Sequence, residues 1–339
     1  MKILFITQLS KEFLQISNIV NDIVSDMILH GLKEVFGNNV IDFPGAWYMY
    51  KDEIQKRPLV DKKLWGNGFN YYDSFTNYNS IDRDDIKNKI KNNYFEFIIY
   101  GAYPRSNFFF EEALNSNSKI VIIDGEDNTL LHHNKNKKVI FFKRELPQKN
   151  ENVFPINCCI PKKKICKNLN LEPKDLLAPL IPYRYKTYIY KKESEYYKMW
   201  QQSIFGISHS FGTWWESVRY YEMLMNGCIP LILNLKKCPQ DTLTLLPKKV
   251  LIDTFDNYSW ILNKYFPTNI YKKRYLSLDK FLLFFRDMFK KKYDAKTFIN
   301  EYPEINDIRN SLLKHTRDYL TTEYSAKYVI NTANNFYSK

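Results

Sequence analysis

Apolar and polar positions in this chain follow two rhythms. Short apolar runs without polar alternation occur at Lys2 to Thr7, Val40 to Phe43, Phe95 to Tyr100, Lys119 to Ile123 and Val139 to Phe142. Runs of this kind read as strands buried on both faces, the mark of a parallel sheet. Between the first two, Ile16, Ile19, Val20, Ile23, Met27 and Val35 recur at helical spacing and predict a helix from about Lys11 to Phe36. Strand, helix and strand by residue 43 point to an α/β fold.

The second half repeats the rhythm. Leu176 to Ile181, Ile204 to Ser208, Cys228 to Leu233 and Val250 to Thr254 read as strands, and Lys192 to Gln202 and Asp256 to Lys264 as helices. From Tyr275 onward the pattern is helical, ending in a helix over about Ser325 to Phe336. The expected architecture is therefore two Rossmann-like domains with parallel sheets, residues 1–155 and 156–339. Lys162, Lys163 and Lys164 with Lys167 read as the linker.

Ser203 to Pro239 carries the most specific pattern. Its two strands flank a segment from Trp214 to Asn226 with helix signals at both ends: Thr213 and Glu216 in capping-box spacing, and Gly227 at the left-handed position that follows a helix. Trp214, Val218, Tyr221 and Met225 would form the buried stripe, with Trp215, Arg219, Glu222 and Asn226 on its shoulder. A helix that opens beyond the carboxyl end of a parallel strand lies where open α/β sheets bind ligands, and its N-terminus attracts anions.

The order Arg219-x-x-Glu222 followed by Gly227-Cys228-Ile229-Pro230 resembles the nucleotide-sugar module of exostosin-like GT-B glycosyltransferases. Cys238-Pro239 and Leu246-Pro247-Lys248 look like its continuation. The resemblance covers about Tyr196 to Leu251. It implies a GT-B fold, with an acceptor domain first, a nucleotide-sugar domain second, and terminal helices that could cross back to the first domain. It further implies that Glu222 holds the donor ribose and Arg219 faces the phosphates, with no metal and no cofactor beyond the nucleoside-diphosphate sugar itself. Arg184 sits where related enzymes place a further cation, and His209 lies beside the expected donor site. Glu216 and Glu222 are six apart, against the eight of the commoner E-x7-E motif, so Glu216 is open between a capping and a donor-binding role, with Thr213 as its capping partner.

Charge and composition change this picture little. The chain has 339 residues, 17% of them aromatic, and a net charge of +13. Such a balance invites a polyanion partner. Yet the cations are scattered and no nucleic-acid motif is present, so a nucleic-acid-binding protein, or a transferase with a nucleic-acid acceptor, is only the alternative. An anionic membrane surface also stays open as a peripheral contact. Five cysteines, an odd number without C-x-x-C or zinc spacing, favour reduced thiols and a cytoplasmic setting. No run approaches the ~20 apolar residues of a membrane span. The first strand is followed by Thr7-Gln8-Leu9-Ser10, which lacks G-x-G-x-x-G and excludes an ordinary dinucleotide fingerprint.

Two further stretches carry candidate chemistry. Asp124-Gly125-Glu126-Asp127 ends a predicted strand, and crowded carboxylates raise one another's pKa, which makes Asp124 or Asp127 a candidate general base. An acidic turn in which Asp127 caps a short helix is the plainer reading, and His132 and His133 beside it read as solvated. Trp47 to Ser80 is aromatic and aperiodic, either a sugar-stacking acceptor loop or an insertion without order. Together these readings predict transfer of a sugar to a hydroxyl of a glycan, lipid-linked or protein acceptor.

Overall fold

The structure is a computed structural model; it describes residues 1–8, 22–56, 69, 71–72, 74–103, 105–130, 138–181, 187, 189–209, 214–265 and 294–339, without the side chains of 209 and 263–265. The first half builds one six-stranded sheet. Its strands are β1 (Ile3–Ile6), β2 (Val40–Phe43), β3 (Phe97–Tyr100), β4 (Lys119–Asp124), β5 (Val139–Lys143) and β6 (Val153–Pro155). They run in the order β2-β1-β3-β4-β5-β6, every pair parallel. Because β2 and β3 lie on opposite sides of β1, the chain reverses direction there. A crevice opens between the carboxyl ends of β1 and β3.

Strand period explains the layers. Ile3 and Phe5 face one core with Phe97 and Ile99, while Leu4 and Ile6 face another with Ile98 and Tyr100. Helix α1 (Ile23–Phe36) covers the first face, its first turn capped by the Asp22 carboxylate, which accepts from the N–H groups of Val24 and Ser25. The predicted helix from Lys11 is seen from Ile23 onward; its earlier part lies outside the described residues. The Trp47–Ser80 stretch opens with a short turn and α2 (Lys51–Ile54), and Trp47, Tyr48, Tyr50, Tyr71 and Tyr78 are buried. Those rings are core, so the described part of this stretch is neither a stacking platform nor without order. Asp42 anchors it: its carboxylate accepts from Tyr50 Oη at 2.8 Å and Ala46 N at 3.0 Å, and pairs with Lys33 and Arg83.

The second half forms a smaller sheet of β7 (Asp175–Leu177), β8 (Ser203–His209) and β9 (Ile229–Leu233), all parallel. Helices α3 (Ile86–Lys91) and α4 (Phe110–Leu114) belong to the first sheet; α5 (Glu193–Gln201), α6 (Val218–Met225), α7 (Lys248–Tyr258) and α8 (Trp260–Tyr265) belong to the second. The Val250 to Thr254 strand is not formed. Leu251, Thr254 and Tyr258 are buried at helical spacing within α7, and the short apolar run alone could not separate the two periods.

The chain ends in α9 (Ala295–Glu301), α10 (Glu304–Tyr319) and α11 (Thr322–Tyr337). Helix α11 lies against α1 so closely that a Cβ at Gly31 would overlap the Thr322 carbonyl. It also reaches the first sheet, where Tyr337 Oη accepts from Ile120 N at 2.9 Å and Tyr328 Oη donates to Pro155 O at 3.1 Å. Ile160 and Thr321 form a parallel bridge, so the two crossings between the halves run side by side.

His30 is enclosed at the α1–α11 contact, its Nδ1 2.9 Å from Thr322 Oγ1 and its ring stacked on Phe75. Burial, then the Lys163 and Lys164 charges, pushes its pKa down to about 3. The folded value lies below the ordinary 6.5, so the unfolded chain takes the proton first as pH falls. Stability is therefore lost progressively below about pH 6.5. Urea midpoints at about pH 7 and about pH 5 should differ for the wild type and differ less for His30→Gln; equal slopes in both proteins would contradict this.

Candidate functional site

The carboxyl ends of the strands gather most of the buried charge. In the β1/β3 crevice, Arg105 reaches Glu126 Oε1 at 2.9 Å with Nε and Gln8 Oε1 at 3.0 Å, and lies 3.7 Å from Asp22. Asp124, at the end of β4, is held by the wholly buried Lys143 at 2.8 Å and by the Glu126 N–H at 3.0 Å. Asp127 is exposed and pairs with Arg144. The carboxylates of 124–127 are thus interleaved with cations rather than crowded. Crowding was the argument that singled out Asp124 and Asp127, and the pairing removes it. His132 and His133 lie outside the described residues.

Glu145, two residues beyond β5, joins the two sheets. It is buried, and its two oxygens accept from Trp215 N and Glu216 N, each at 2.9 Å. Those amides belong to the extended segment between β8 and α6. The carboxyl edge of the first sheet therefore meets that of the second through one carboxylate. Lys149 N donates to Asp241 nearby, and Thr242 Oγ1 to Leu146 O at 2.8 Å.

This clasp corrects the predicted start of the helix. Residues 214–217 are not helical, and α6 begins at Val218 with the Ser217 hydroxyl accepting from Arg219 N. Thr213 lies outside the described residues, and Glu216 caps nothing. Its Oε1 instead accepts from Tyr221 Oη, from Cys158 N at 3.0 Å and from Asn157 Nδ2 at 3.3 Å. Its Oε2 is buried with no hydrogen-bond partner among the described residues, as is Nε of Arg144. Burial pushes Glu216 up to about 7, against the opposing pull of Arg144 and Tyr221.

Helix α6 is more buried than the amphipathic stripe implied. Tyr220, Met223 and Leu224 are enclosed along with Tyr221 and Met225, and Val218 is half-buried. Glu222 is buried too, its Oε2 accepting from Tyr196 Oη at 2.6 Å. The Tyr196 ring packs near Phe69 and Tyr190. Arg219 is half-buried on the same helix, close enough to oppose the upward push of burial on Tyr196. Gly227 adopts φ 71, the left-handed conformation its position predicts, and Arg309 of α10 donates to its carbonyl at 2.8 Å. Arg184 lies outside the described residues; His209 ends β8 with its side chain outside them.

The comparisons decide no family. Neither a family model, nor a curated protein, nor a solved structure matches the chain. Among the described residues, no group of three or more His, Cys, Asp or Glu side chains is arranged to hold a metal, and no helix is long and apolar enough to cross a membrane.

Sequence reasoning placed Arg219, Glu222 and Glu216 on one segment, and the structure keeps them there. It missed Glu145, Tyr196, Asn157 and Arg105. Nothing local announced that the Glu145 carboxylate would bind backbone 70 and 71 residues away. Replacing Glu145 by Ala leaves the buried Glu216 amide and the part-buried Trp215 amide without acceptors, a loss of ~1–3 kcal/mol for the buried one alone. A urea midpoint lowered by an equivalent of about 2 kcal/mol or more is expected, and an unchanged midpoint would show the clasp to be dispensable.

Proposed function

We propose that the chain is a glycosyltransferase of GT-B type, moving a sugar from a nucleoside-diphosphate sugar to a hydroxyl of a glycan, lipid-linked or protein acceptor. The observation that carries this reading is the junction itself. Two parallel sheets present their carboxyl edges to one another at Glu145, and the helix with Arg219 and Glu222 opens there. Open α/β sheets bind ligands at such edges.

An asymmetry between the sheets supports assigning the donor to the second. The N-terminus of α1 is filled by the Asp22 carboxylate, whereas α6 is capped by the neutral Ser217 hydroxyl. At the cap itself a diphosphate meets the Asp22 carboxylate on α1 and a neutral hydroxyl on α6, where the Glu145 carboxylate lies one step further ahead on the Trp215 and Glu216 amides. In this reading Arg219 holds the donor phosphates and stabilises the leaving diphosphate. Glu222, oriented by Tyr196, receives the ribose hydroxyls. The first sheet then carries the acceptor. Five free thiols agree with a cytoplasmic setting.

Nucleotide binding tests this directly. Among UDP, GDP, ADP, CMP and dTDP, one diphosphate should raise the melting temperature of the wild type, and Glu222→Ala should abolish the shift; a ligand at 100 times its Kd stabilises by ~2.7 kcal/mol. No shift with any nucleotide, together with salt-sensitive binding to RNA or DNA, would overturn the proposal.

A further inference from the structure

Transfer to a hydroxyl needs a group to take the proton, and the acidic turn at 124–127 is committed to cations. Glu216 is differently placed. It lies in the segment clasped by Glu145, between the end of the first sheet and α6, where the two carboxyl edges meet. Three donors from two segments converge on one of its oxygens: Tyr221 Oη of α6, and the Cys158 amide and Asn157 carboxamide just beyond β6. They fix the carboxylate plane. The other oxygen is left without a hydrogen-bond partner among the described residues, and the buried Arg144 guanidinium beside it likewise has an unengaged Nε.

An oriented carboxylate with one saturated oxygen and one vacant lone pair meets two requirements of proton abstraction; Oε2 is buried, so the acceptor hydroxyl must displace the packing over it to reach that lone pair. We infer that Glu216 is the general base of the transfer, taking the acceptor hydroxyl proton on Oε2. This rests on the glycosyltransferase reading and adds to it a direct, inverting displacement. The acceptor oxygen bonds to the anomeric carbon as the bond from that carbon to the diphosphate oxygen breaks. The electron pair leaves on the diphosphate, and the hydroxyl proton moves to Glu216.

The surroundings suit the task. The groups facing Glu216 are Arg144 and Glu145 beyond β5, Cys158 and Cys159 beyond β6, Tyr221 on α6, and Cys238 beyond β9. Burial raises the thiols and Tyr221, which stay neutral, so the balance rests on Arg144 against Glu145. That balance and burial leave Glu216 titrating at about 7, where a base is both partly ionised and strong enough to accept a hydroxyl proton.

The test measures nucleoside diphosphate release from a nucleotide-sugar panel by the full chain, with water and monosaccharides as acceptors, alongside nucleotide binding by melting temperature. Wild-type release should rise with pH to a plateau through about pH 7, because the ionised carboxylate is the active form. Glu216→Gln should keep nucleotide binding, lose ~10²–10⁴-fold in release and lose the inflection. Should Glu216→Gln fail to fold, the wild-type profile and Glu216→Asp decide: release without an inflection near neutrality overturns the inference. Glu216→Gln releasing at the wild-type rate overturns it while leaving the donor site intact. A wild type that binds nucleotide yet releases none from any donor leaves Glu216 no proton to accept and overturns it too. A wild type that binds no nucleotide removes the glycosyltransferase reading itself.

Discussion

The clasp of Glu145 on the Trp215 and Glu216 amides is the contact on which the arrangement of the two sheets depends. A buried carboxylate is costly unless hydrogen-bonded, and two adjacent amides ahead of a helix are costly unless they find acceptors. Each requirement meets the other. The result fixes where α6 begins, and with it the direction in which Arg219 and Glu222 leave the helix. Had the amides stayed helical, as the capping-box spacing suggested, Glu216 would point at its own turn rather than at Asn157 and Cys158.

Around this contact, charge is arranged by pairing. Lys143 with Asp124, Arg105 with Glu126 and Arg144 with Asp127 each set a cation against one carboxylate of the acidic turn. The buried Lys143–Asp124 pair holds its loop in register more than it supplies stability, since breaking it leaves a buried charge while forming it costs desolvation; the other two pairs are partly exposed. Glu216 accepts instead from neutral donors, all on one oxygen; Glu145 accepts likewise from amides and Glu222 from a phenol. What sets Glu216 apart for the proposed role is its second oxygen, which has no hydrogen-bond partner among the described residues.

Five of the six strands of the first sheet were legible because parallel strands buried on both faces are apolar throughout, as in Phe97–Tyr100 and Val139–Lys143; β6, three residues long and only partly buried, was missed. The βαβ unit around Gly227 was legible for the same reason, together with the φ 71 that glycine adopts there. Val250 to Thr254 was misread because a short apolar run fits either period, and packing against β9 resolves it as helix. The rings of Trp47, Tyr50 and Tyr78, read as either a stacking loop or an insertion without order, proved to be core, since an aperiodic stretch does not show which of its residues turn inward. The clasp, the Tyr196–Glu222 bond and the α11 crossing are long-range contacts, and no local pattern carries them.

If one cleft between the two carboxyl edges binds the donor, protection on binding should be local to it. Amide hydrogen exchange with and without the nucleoside diphosphate that stabilises the chain measures this at each segment. The account predicts slowed exchange over residues 214–222 and at the end of β8, with the β1/β3 crevice around Gln8 and Arg105 unchanged. Protection centred on that crevice, with 214–222 unaffected, would place the nucleotide on the first sheet and contradict the account.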